Sequence, residues 1–136
     1  IAPRLMICLD TSSVIAYLEG DAGSDVEAVD RTLEQQEGMI APVSLSELLS
    51  DPALPRTLRK IILELPILPI VEGYWERAGL LRARILRSGS KAKLADTLVA
   101  QSCLDHRIAL LSRGRDFRVF HRLAGLKLLE TGRTGH

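Results

Sequence analysis

Short apolar runs alternate along this chain with longer amphipathic segments, and this alternation constrains the fold more than any other feature. The runs lie at 5–9, 39–41, 108–111 and 126–129, and a run at 67–70 contains a proline, which suits an edge strand. Continuous apolar runs are typical of strands buried on both faces, and strands that alternate with helices form parallel sheets. We therefore predict an α/β fold, a three-layer α/β/α arrangement with a central parallel sheet of four to five short strands.

The segments between the runs have helical spacing or helix-start signals. They lie at 14–18, 21–36, 44–49, 58–65, 74–88, 94–106 and 117–123. We expect a single domain over residues 1–130 and a flexible C-terminal tail over 131–136. With 46% hydrophobic and 26% charged residues among 136, the chain has the composition of a folded protein. It shows no signal peptide and no apolar run of bilayer length, so we expect a cytoplasmic protein with no membrane partner.

The net charge of +1 hides an asymmetry between the two halves of the chain. Residues 1–76 carry 5 Lys and Arg against 13 Asp and Glu, a balance of −8, whereas residues 77–136 carry 13 against 4, a balance of +9. Such a split suggests a surface for a polyanion built from the second half. Interleaved, solvated helix faces are the alternative interpretation.

Three carboxylates lie next to apolar residues, where a charged side chain is unusual unless it has a structural or functional role. Asp10 follows the first apolar run, at the strand end where open α/β sheets bind ligands. Glu47 lies in an apolar segment, and Asp96 shares a helical stripe with Val99 and Cys103. Each also has a structural interpretation: Asp10 as a helix cap, Glu47 as the capping-box partner of Ser44, and Asp96 as a helix-dipole partner.

Together the three acids predict a metal site. Carboxylates crowded at one edge of a sheet repel one another, and a divalent cation relieves that repulsion. Oxygen ligands without neighbouring His or Cys favour Mg²⁺ or Mn²⁺.

Four segments carry a family resemblance: 9–18 (LDTSSVIAYL), Ser46–Glu47, 94–100 (LADTLVA) and 109–117 (ALLSRGRDF). Over residues 5–130 the chain resembles the PIN domain, and most closely the VapC-like toxins of bacterial toxin–antitoxin pairs. The resemblance implies an Mg²⁺- or Mn²⁺-dependent endoribonuclease. Asp10, Glu47 and Asp96 match the family acids that bind the metal and act in catalysis, and Ser12 and Ser112 match the hydroxyl positions beside them.

The chain departs from the family pattern at the fourth acid. That acid usually lies two residues after the hydroxyl that ends the strand, where this chain has Gly114. Asp116 follows two residues later and either reaches the catalytic site across Gly114 or leaves a site of three acids. The alternative function is therefore a PIN-like module that binds RNA or a partner without cutting.

The resemblance also implies partners. Lys91, Lys93, Arg113 and Arg115 adjoin the acids in sequence and are candidates for RNA-backbone contacts, with solvated surface charge as the alternative. A cognate antitoxin would cover the acid site with a helix or strand and direct an arginine to the carboxylates. The acidic segment 19–37 and the apolar stripe of the 58–65 helix are candidates for that interface, or for a homodimer.

Overall fold

The computed structural model of the chain describes residues 5–129, so the predicted tail at 131–136 lies outside the described residues. Within that range the strands are β1 (Ile7–Leu9), β2 (Gly38–Met39) and β3 (Ala109–Leu111). The helices are α1 (Thr11–Leu18), α2 (Ser24–Glu34), α3 (Pro42–Leu49), α4 (Arg56–Leu63), α5 (Tyr74–Arg87), α6 (Leu94–His106) and α7 (Arg118–Ala124). Among the helices of residues 5–129, none combines the length and the apolar character that crossing a bilayer requires.

The sheet is parallel, in the order β2-β1-β3, with β1 in the centre. Three strands between residues 5 and 129 correct the expected four to five. The runs at 67–70 and 126–129 each contribute a single parallel bridge, Ile40 to Ile67 and Leu110 to Leu128. At the first of these, Pro66 and Pro69 lack the N–H groups that a longer ladder needs, so pairing stops after one bridge.

Both faces of the sheet are covered, which confirms the three-layer α/β/α prediction. Cys8 and Leu110 point into a cluster with Val99 and Ile85, residues of α6 and α5. Their neighbours Leu9 and Leu111 point the other way, into a cluster with side chains from α1, α2, α3 and α4. Alternate residues of a strand face opposite sides, so each three-residue strand anchors two cores.

The helix starts agree only in part with the sequence. Asp10 caps α1, since its Oδ2 accepts from the Ser12 amide at 3.3 Å. The capping box expected for Ser44 and Glu47 is wrong, because α3 already begins at Pro42 with Ala41 as its N-cap and no side-chain cap. Pro is well suited to a first helical position, where no N–H is required, and the N-cap lies three residues upstream of Ser44.

Candidate metal-dependent nuclease site

Asp10 lies at the carboxyl end of β1, where the neighbouring strand holds it in place. Its backbone N–H donates to the Leu111 carbonyl at 2.9 Å, and only 8% of the residue is exposed. Its Oδ2 accepts hydrogen bonds from Ser12 Oγ at 2.6 Å and Ser112 Oγ at 3.0 Å. The two predicted hydroxyls therefore meet at one carboxylate oxygen, although Ser112 is 102 residues from Asp10 in sequence.

Asp96 is in the first turn of α6 and lies at the same edge. Burial, followed by the negative charges of Asp10 and Asp116, raises its pKa from 3.8 to about 6, while Lys93 acts in the opposite direction. Glu47 adds a smaller upward contribution to that pKa. The structure thus brings the other three sequence-predicted acids within electrostatic reach of Asp96.

Asp116 is the acid whose position the sequence left open. The negative charge of Asp116 raises the pKa of Asp96 more than the charge of Glu47 does. The turn after β3 therefore brings Asp116 towards the site. Gly114 makes that turn with φ +103°, a backbone conformation that glycine adopts at little cost, and no atom lies within 4 Å of where a Cβ would stand. Asp116 therefore comes two residues after the turn that Gly114 makes.

Glu47 is exposed and projects from α3. Thr11 Oγ1 donates to Glu47 Oε1 at 3.0 Å, which links α3 to the start of α1. Thr11 is a site residue that the sequence interpretation missed. Its position directly after Asp10, in the first turn of a helix, was the available signal.

The donor chemistry of this edge suits a hard divalent cation. It offers carboxylate and hydroxyl oxygens, and burial together with the neighbouring acids disfavours the negative charge of Asp96, as its raised pKa reflects. Within residues 5–129, however, no three acidic, His or Cys side chains already form a cluster able to hold a metal. Binding an ion would thus require Asp10, Asp96 and a third acid to draw together.

The four predicted RNA contacts have different surroundings. Lys91 and Lys93 are exposed in the loop before α6, which is fastened to α5 by Arg82 Nε donating to the Ala92 carbonyl at 2.8 Å. Arg115 is exposed beside Asp116. Arg113 is different, because its guanidinium is paired with Asp25 at 2.9 Å.

Asp25 is a second residue that the sequence interpretation missed. It is 8% exposed and accepts from Ser13 Oγ at 3.0 Å as well as from Arg113. A signal was present: Asp25 shares a helical stripe with the buried Ala28, Val29 and Thr32, the same kind of position that singled out Asp96.

A groove of about 380 Å³ opens beside the acids, between α1, α3 and α4. Apolar side chains form its walls: Ile15, Leu18, Leu48, Leu54, Leu58 and Ile62. Glu19, Glu47 and Asp51 bring negative charge to it. Because Glu47 belongs to both, the groove and the acid site are continuous.

Known structures share this architecture. FitAcB from Neisseria gonorrhoeae matches with 22% identity over 92% of this chain and 97% of its own, at a TM-score of 0.68. VapBC2 from Rickettsia felis, bound to a promoter DNA fragment, matches with 16% identity over 92% and 98%, at a TM-score of 0.71. VapBC-5 from Mycobacterium tuberculosis, a member of a family of toxin–antitoxin systems, matches with 18% identity over 95% and 100%, at a TM-score of 0.65.

The sequence comparisons give the family directly. No curated protein is significantly similar to the chain, but the family model of the PIN domain matches residues 7–124. That range begins at β1 and ends with α7, so it contains the whole sheet and all four acids. The chain belongs to the PIN domain family.

Proposed function

We propose that the chain is a divalent-metal-dependent endoribonuclease, a VapC-like toxin that a cognate antitoxin inhibits in the cytoplasm. The observation that carries the proposal is the proximity of Asp10, Asp116 and Glu47 to Asp96, whose pKa is raised to about 6 by burial and by these acids. PIN domains are generally nucleases, and these carboxylates are the kind of oxygen ligand that metal-assisted phosphodiester hydrolysis uses.

We assign each residue of the acid site a role according to its position. Asp10, Asp96 and Glu47 would hold the cation, Mg²⁺ or Mn²⁺, which when bound supplies Lewis acidity to the scissile phosphate and to water. Ser12 and Ser112 fix the Asp10 carboxylate through hydrogen bonds at 2.6 and 3.0 Å.

Asp116 takes the place of the fourth family acid, reaching the site beyond Gly114. Lys91, Lys93 and Arg115 lie where they can neutralise RNA phosphates.

RNA cleavage by the antitoxin-free protein tests this proposal. We expect cutting with Mg²⁺ or Mn²⁺, none with EDTA, and a loss of at least about 100-fold in Asp10→Asn and Asp96→Asn. Asp30→Asn, which neutralises an exposed acid on α2, should cut like the wild type. Cutting that persists in EDTA or in both site variants would sink the proposal.

Gly114 at the usual position of the fourth acid favours a second candidate, a PIN-like module that binds RNA or a partner without cutting. Calorimetric titration with Mn²⁺ separates the two. A nuclease should bind Mn²⁺ and lose that affinity in Asp96→Asn, whereas a non-catalytic module should bind little Mn²⁺ in either form.

The groove supports an antitoxin partner. Its apolar walls and acidic residues fit an amphipathic helix with basic side chains, and Glu47 would place one such side chain against the acid site. Light scattering of the chain mixed with its cognate antitoxin should show a complex that Leu58→Glu weakens. The same measurement on the antitoxin-free chain tests the proposed homodimer.

A further inference from the structure

Arg113 joins three segments that surround the acid site. Its Nε and Nη2 donate to the two carboxylate oxygens of Asp25 at 2.9 and 3.0 Å, and Nη2 also donates to the Ala22 carbonyl at 2.7 Å. Its backbone N–H donates to Ser12 Oγ at 3.2 Å. The residue thereby ties the segment after β3 to the start of α1 and to the loop between α1 and α2.

The ion pair between Arg113 and Asp25 is bidentate and partly shielded from water. The Asp25 side chain is 12% exposed and the Arg113 side chain 38%. The hydrogen bonds from Arg113 hold the pKa of Asp25 below its ordinary value, although burial acts in the opposite direction. Two parallel N–H···O bonds fix direction as well as distance, which a single-point contact does not.

Gly23 gives the guanidinium its space. A Cβ at Gly23 would stand 2.6 Å from Arg113 Nη2 and 2.7 Å from an Asp25 carboxylate oxygen. Gly20, in the same loop, has a positive φ of +77°, but no atom lies within 4 Å of the place that a Cβ would occupy there. The two glycines therefore differ in whether a methyl group would disturb the ion pair.

We propose that Arg113 is a positioning residue: held by Asp25, it fixes the segment 112–116 so that Ser112 and Asp116 face Asp10 and Asp96. The proposal rests on the nuclease function above. It assigns Arg113 a role different from the RNA contact that its sequence position suggests, because the Nε hydrogen and both Nη2 hydrogens already have protein acceptors. A phosphate would have to compete with a carboxylate for them.

The test compares Asp25→Asn and Gly23→Ala, which disturb the ion pair without altering any residue at the acid site, with Gly20→Ala as the matched control. Amide hydrogen exchange of residues 112–117 in the metal-free protein should become at least about 5-fold faster in both variants and stay unchanged in the control. On a fluorophore-labelled RNA of mixed sequence, kcat should fall about 10- to 100-fold with little change in KM. Arg113→Gln should show the same pattern, and Arg113→Lys should recover part of kcat.

The outcomes are distinct. Faster exchange with unchanged kcat would overturn the positioning role, as would unchanged exchange in both variants. A rise in KM confined to the Arg113 variants, with Asp25→Asn and Gly23→Ala behaving like the wild type, would make Arg113 a direct RNA contact. If the wild type cuts no RNA, the nuclease function fails, and exchange alone still decides whether Asp25 and Gly23 control the segment.

Discussion

At the scale of single residues, two buried polar side chains differ in how well the fold satisfies them. Ser13 and Ser44 are both fully buried. Ser13 Oγ donates to Asp25, but among residues 5–129 the Ser44 hydroxyl is a buried side-chain oxygen without a hydrogen-bond partner. An unpaired buried hydroxyl loses its bonds to water and gains nothing in return.

Ser44→Ala should therefore stabilise the protein. We expect the free energy of unfolding to rise by about 1 kcal/mol, from the removed desolvation cost and the higher helix propensity of Ala. Ser13→Ala is the matched comparison and should lower it by about 1–3 kcal/mol, because it leaves a buried carboxylate short of a donor. Urea unfolding of both variants measures these changes, and equal losses in the two would contradict the assignment.

Asp96 should make the metal-free protein less stable as the pH rises. Its pKa is raised in the folded state, to about 6 from 3.8, so its favourable contribution is complete below pH 4 and is lost as the pH passes through 6. Asp96→Asn removes this dependence. We expect its Tm to exceed that of the wild type by about 3 °C at pH 7.5 and by little at pH 4, after allowing for partial solvent screening.

Thermal scans in EDTA across that pH range measure the difference. Adding Mn²⁺ at pH 7.5 should raise the Tm of the wild type and not that of the variant. A difference that does not vary with pH would contradict the raised pKa.

At the scale of elements, α6 connects the site to the rest of the fold. Its first turn holds Asp96, and its middle packs Val99, Ala100 and Cys103 into the core. Its last turns are fixed to α5, because Asp105 accepts two hydrogen bonds from Arg77, at 2.7 and 3.0 Å, and one from Gln101. Helix α6 thus fixes the position of Asp96 relative to the sheet.

Asp105→Asn should loosen that attachment. Burial acts to raise the pKa of Asp105, but the hydrogen bonds from Arg77 and Gln101 outweigh it and leave the pKa lowered. The stability that these bonds supply is present at neutral pH and disappears as the pH falls through that lowered pKa. We expect the variant to lose about 5 °C of Tm at pH 7 and to converge with the wild type in acid.

A double-variant cycle checks this prediction. Arg77→Gln with Asp105→Asn should cost little more than either change alone. Additive losses would mean that the two side chains stabilise the protein separately.

How far the sequence predicts these elements depends on whether an element is determined by neighbouring residues or by distant ones. The bounds of α6, 94–106, were predicted because helix spacing is a local pattern. The runs at 67–70 and 126–129 read as strands because β-propensity does not reveal how much backbone a partner offers. Asp10 and Asp96 were predicted to lie near each other from their positions at a strand end and a helix start, whereas Asp25 and Arg113, 88 residues apart, meet only through the fold.

At the scale of the whole molecule, the charge asymmetry follows the layers. The helices from the acidic half, α1 to α4, pack mainly on one face of the sheet, and α5 to α7 from the basic half pack on the other. The acid site lies at the edge between them. A polyanion that reaches the site would therefore approach along the basic layer.

Removing two charges from that layer should weaken RNA binding in a salt-dependent way. For Lys91→Gln with Lys93→Gln we expect Kd to rise and the slope of log Kd against log salt concentration to fall by roughly 1.4, about 0.7 for each lost phosphate contact to single-stranded RNA. Arg31→Gln with Arg59→Gln, two exposed charges outside the basic half, is the control. Fluorescence anisotropy at several salt concentrations gives the slope, and equal slopes for all three proteins would remove the two lysines from the interface.

The sheet order has a consequence for the moment at which the acid site can form. β1 lies in the centre but pairs with β3, and the hydrogen bond between Ser112 and Asp10 spans 102 residues. A ribosome therefore has to synthesise most of the chain before the acid site can form, since Asp96, Ser112 and Asp116 all come late in the sequence. Under the nuclease function proposed above, the site could not cut RNA until most of its own message had been translated.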